Sequence, residues 1–148
     1  MGFSTQSWFS VPEATDIHQA ITAFLRTSEF GECHLDSNKQ NDAFVLNFYR
    51  GKERTSWERF NSSKYLRFIN ENRFPSLFAN IRVILRPLPK AVKVGIDYHF
   101  PIINPTGNED SKQLLNKCVD REVSALLCYL QEFYEISEPL RIEAPPNE

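Results

Sequence analysis

Between Ala79 and Phe100 the chain reads ANIRVILRPLPKAVKVGIDYHF, an alternation that holds through two arms and a proline-bearing turn. Ile81, Val83 and Leu85, then Val92, Val94, Ile96, Tyr98 and Phe100, form one set. Arg82, Ile84 and Arg86, then Lys93, Gly95, Asp97 and His99, form the other. Successive side chains of a strand point to opposite faces, so a period of two predicts a β-hairpin with an apolar core face and a polar, mostly basic outer face. The turn, Arg86-Pro87-Leu88-Pro89-Lys90, lacks two backbone donors and is expected to be stiff and closed to further pairing. A chain with such a hairpin must cover one face, and its other face needs a use.

The cover is expected from two helices. Ser10-Val11-Pro12-Glu13 has the form of a capping box with proline in the first turn, predicting a helix start there. Ile17, Ala20, Ile21, Phe24 and Leu25 then recur at helical spacing, and Gly31 fits the end of that element. A longer stripe of Leu115, Cys118, Val119, Val123, Leu126, Leu127, Leu130, Phe133 and Tyr134 predicts a helix over 111–136. Between them, Phe30 to Asp36 and Ala43 to Arg50 read as two strands around the polar turn SNKQND. KERTSWERF reads as a third strand or a helix. Ser62-Ser63 followed by KYLRFINE reads as a short helix with Tyr65, Leu66, Phe68 and Ile69 on its contact face.

The order helix, strand, strand, third strand if KERTSWERF is one, short helix, strand, strand, long helix predicts an α+β domain in two layers, an antiparallel sheet under helices. Its core is expected to hold Phe44, Leu46, Phe48, Ile81, Val83, Leu85, Val94, Ile96 and Tyr98. A single domain over residues 1–137 is expected, with 138–148, which carries Pro139, Pro145 and Pro146, a mobile tail. At 148 residues one such core buries about 70% of the unfolded surface.

That order resembles the type III secretion chaperone fold and the related YbjN family of bacterial sensory regulators. The likeness is topological, over Val11 to Ile136, and best along FINENRFPSLFANIRVILRPLPKAVKVGIDYHF and into the helix ending CYLQEFYEI. The resemblance implies a non-enzymatic, protein-binding module that is commonly dimeric. The basic hairpin departs from the acidic surfaces usual among secretion chaperones. A homodimer is therefore expected, with Tyr65, Phe68 and Ile69 as its contact.

Charge locates the expected partner site. Val45 to Gly95 holds 11 of the 17 Lys and Arg against three of the 19 Asp and Glu, a local +8 that leaves −10 for the rest. Within it YRGKERTSWERF interleaves Tyr49, Trp57 and Phe60 with Arg50, Lys52, Arg54 and Arg59. If the strands adjoin, Arg82, Arg86 and Lys93 share an open sheet face with Tyr49. The expected partner-binding set is Tyr49, Arg50, Arg54, Trp57, Arg82, Arg86 and Lys93, meeting an acidic protein. Arginine and aromatic residues are also what single-stranded nucleic acid uses, which makes a polyanion the alternative. A pI of about 5.9 weighs against it.

Chemistry finds little footing. Asp97 and His99 lie about 7 Å apart on one strand face, a candidate acid–base pair and the basis of an enzyme alternative. The plainer expectation pairs Asp97 with Arg82, Arg86 or Lys93 across the hairpin. Cys33 and His34 are neighbours that point to opposite faces, and His18 meets Thr22 one turn on, so no metal site is expected. Five scattered glycines make no phosphate loop, and no cofactor is expected. No membrane-spanning run or signal-peptide pattern stands out. Three cysteines without a C-x-x-C fit a reduced, cytoplasmic protein.

Overall fold

The computed structural model describes residues 3–12, 16–40, 43–51, 79–100, 109–134, 136 and 140–142. The expected KERTSWERF strand and the short helix at 62–71 lie outside these residues. Over the described residues the chain is a mixed α+β protein. Its elements are β1 (Phe3–Pro12), α1 (Ile17–Arg26), β2 (Cys33–Gln40), β3 (Phe44–Arg50), β4 (Ala79–Leu88), β5 (Ala91–Phe100), α2 (Glu109–Gln131) and β6 (Leu140–Ile142). The strands form one antiparallel sheet in the order β2-β3-β4-β5-β1-β6.

The hairpin forms as the alternation demands. Ile81, Val83 and Leu85 of β4 and Val94, Ile96, Tyr98 and Phe100 of β5 are buried, while Arg82, Arg86 and Lys93 are exposed. Its turn is tighter than expected, because Pro87 pairs with Val92 and Leu88 with Ala91, leaving Pro89-Lys90 as the loop. Pro89 fixes a negative φ, and no non-glycine residue in the described chain has a positive one. The loop therefore cannot be of the primed type that matches strand twist. β3 lies beside β4 with Leu46 and Phe48 buried, as expected, and Phe44 half-buried.

Four expectations are corrected. Ser10 and Pro12 do not open a helix: they end β1, which pairs along its whole length with β5 and buries Val11 against that strand. α1 starts only at Ile17, and its N-cap Asp16 makes no side-chain cap bond, since Asp16 Oδ1 accepts from the Tyr134 hydroxyl at 2.8 Å. Most of the expected turn Ser37–Asp42 is strand: Ser37 to Gln40 pair with β3 after a bulge near Leu35. From His34 to Lys39 this edge strand is exposed on both faces, so that stretch carries no apolar alternation to read. α2 stops at Gln131, short of Ile136, and Phe133, expected in its core stripe, is 61% exposed. Leu140 to Ile142 of the expected mobile tail add to the outer edge of β1.

Ile17, Ile21 and Leu25 of α1 and Leu115, Cys118, Val119, Val123, Leu126, Leu127 and Leu130 of α2 join the buried sheet residues in one cluster. Burying each such side chain contributes about 1.5–3 kcal/mol. α2, with 23 residues, is about 35 Å long. No helix among the described residues is long and apolar enough to cross a membrane.

Candidate partner-binding face

The strand registers arrange the outer face of the sheet in rows that run across the strands. One row reads His34, Tyr49, Asn80, His99, Ser4. The next reads Ser37, Asn47, Arg82, Asp97, Gln6, and the third Lys39, Val45, Ile84, Gly95, Trp8. The last holds Arg86, Lys93 and Ser10. Tyr49, Arg82, Arg86 and Lys93 thus share one face, the arrangement the adjoining strands required. Tyr49 is 37% exposed and lies 5.2 Å from the His34 ring.

Arg50 leaves the predicted set. It has the parity of Leu46 and Phe48, so its side chain turns inward, and it is 1% exposed. Its Nη2 donates to Glu122 Oε2 on α2, and its Nε donates to the Gly31 carbonyl at 3.0 Å. Glu122, itself buried, also accepts from Ser28 Oγ and from Tyr98 Oη, each at 2.6 Å. This network replaces the water that both charges lose. Burial pushes the Cys33 thiol up to about 11, and the Tyr98 hydroxyl well above its usual range. Burial opposes the Arg50 charge, and Glu122 beside it more than compensates, so the guanidinium stays protonated. Sequence reasoning missed Glu122, a lone acid in an apolar stripe at helical spacing; the inward parity of Arg50 was the available signal. Arg54 and Trp57, and the expected dimer contact Tyr65, Phe68 and Ile69, lie outside the described residues.

Asp97 and His99 share a face as expected but engage different neighbours. Arg82 closes on Asp97 Oδ2 through Nη2 at 2.7 Å and Nε at 3.2 Å. His99 Nδ1 lies 2.6 Å from Ser4 Oγ, and partial burial lowers the pKa of its ring. Asp97 therefore pairs across the hairpin and does not orient the imidazole. Among the described residues no group of three His, Cys, Asp or Glu side chains is placed to hold a metal ion.

The last row differs from the one that pairs. Arg86 stands directly opposite Lys93, two like charges on neighbouring strands. Arg86 and Lys90 have no ion-pair partner among the described residues, and Lys93 lies over the Trp8 ring at 5.2 Å. Trp8 went unread because β1 did; its ring lies so close over Gly95 that a Cβ there would meet it at 2.6 Å. Glycine in mid-strand is what lets the indole cross β5. Compared with protein families, curated proteins and solved structures, the chain matches none.

Proposed function

We propose that the chain is a non-enzymatic protein-binding module, chaperone-like or regulatory, in which α1 and α2 layer one face of the sheet and the other face receives an acidic partner. The observation that carries this reading is the Arg86–Lys93 pair, which has no counter-charge among the described residues, on the same face as the compensated Arg82–Asp97 pair. Like charges directly opposite in an antiparallel pair are destabilising, and an anionic partner supplies the missing counter-charge. In this reading the chain acts as a homodimer in the cytoplasm, with the protein partner bound at the face.

The test is capture of partners with and without nuclease, on the parent and on a variant with Arg82, Arg86 and Lys93 all changed to Ser. A protein that survives nuclease and is lost in the variant supports the reading. Loss with nuclease assigns the face to nucleic acid, and capture unchanged in the variant removes the face from function. Light scattering at tens of micromolar tests the dimer: a 17.2 kDa particle excludes it.

A further inference from the structure

We propose that the segment seating on this face is acidic and amphipathic, its carboxylates on Arg86, Lys90 and Lys93 and a bulky apolar side chain against Leu88. This rests on the protein-binding reading above and specifies its partner.

The end of the hairpin carries both halves of that chemistry. Pairing of β4 to β3 ends at Leu85 opposite Phe44, so Arg86, Pro87 and Leu88 are paired to β5 alone. Leu88 is 49% exposed at the apex, between two prolines that present no backbone N–H. Around it stand Arg86, Lys90 and Lys93, and no acid lies in sequence between Glu71 and Asp97. An exposed leucine beside cations that have no ion-pair partner among the described residues fits a ligand that brings carboxylates and an apolar group together.

Nucleic acid fits less well, on geometry. Stacking needs an uncovered ring beside the cations. Trp8 has one face on Gly95 and Lys93 above its ring. Tyr49, the exposed ring of this face among the described residues, is level with Asn80, six residues along β4 from Arg86 and so about 20 Å away. The cations and the exposed ring do not form one track.

Fluorescence anisotropy at physiological salt tests this with three labelled probes: a twelve-residue peptide of Glu and Leu, one of Glu and Ser with the same charge, and a twelve-residue oligothymidylate. The Glu–Leu peptide should bind at least tenfold tighter than the Glu–Ser peptide. Arg86→Ser with Lys93→Ser should weaken it at least tenfold, and Leu88→Ser should bring the two peptides together. Circular dichroism should show Arg86→Ser melting at or above the parent temperature, because it relieves a like-charge pair. Equal binding of the two peptides, tighter binding of the oligonucleotide, or no peptide binding overturns the proposal. If capture still depends on the three cations while the peptides bind alike, the acidic-partner reading stands and only its amphipathic refinement falls.

Discussion

Glu122 accepts from donors on β3, on β5 and on the connection after α1, through Arg50, Tyr98 and Ser28. Removing one member of a buried ion pair strands the other charge, at about 3–5 kcal/mol. Arg50→Met and Glu122→Leu should each lower stability by about that much in urea unfolding. Changing both together should cost less than either alone, because no naked charge remains and only the Tyr98 and Ser28 hydroxyls lose a partner. Additive losses would mean that the pair is not coupled. Gly95 is decided by one atom: Gly95→Ala places a methyl where the Trp8 ring lies. The ring should swing off β5, read as a red shift of tryptophan emission, with a stability loss of no more than about 1–3 kcal/mol. Unchanged emission would show that the backbone yields instead.

The two arms of the β4–β5 hairpin were legible because their apolar and polar residues alternate, and the bodies of α1 and α2, though not their ends, because their stripes are long. β1 was not. Its inward positions are Thr5, Ser7, Phe9 and Val11, half of them polar, so burial left no hydrophobic period to find. A local capping signature at its end then pointed to the wrong element, and pairing with a distant strand overrode it. The outer face was legible in part: the parity of Arg82, Arg86, Lys93 and Tyr49 follows from the sequence, as does the inward parity of Arg50, whereas the buried Glu122 that receives it is 72 positions away in the chain. β6 adds only three residues to β1, opposite Gln6, Ser7 and Trp8. A chain ending before Leu140 should keep its circular dichroism spectrum and show faster hydrogen exchange along this edge of β1. Unchanged exchange there would mean that β6 does not protect β1.

For the whole molecule, alkali is the revealing condition. Cys33 and Tyr98 both have folded pKa values raised above their usual 9.0 and 10.0, chiefly by burial, so the folded state favours their neutral forms. That stability is fully present below about pH 9 and is lost as pH rises through the folded values. Urea midpoints should therefore hold steady from pH 7 to 9 and fall above it, and since burial raises the Cys118 thiol to about 11 as well, Cys33→Ala should reduce the fall and Cys33→Ala with Cys118→Ala should delay the onset; a flat profile to pH 11 would contradict the buried network. The sheet also sets a timetable. Phe3 of β1 pairs with Phe100 of β5, 97 positions later. At about 5–20 residues per second, a ribosome leaves the first strand waiting about 5–20 s for its partner. The same Thr5 and Ser7 that concealed β1 as a strand should keep it hydrated through that wait, when a more apolar strand would seek the wrong neighbour.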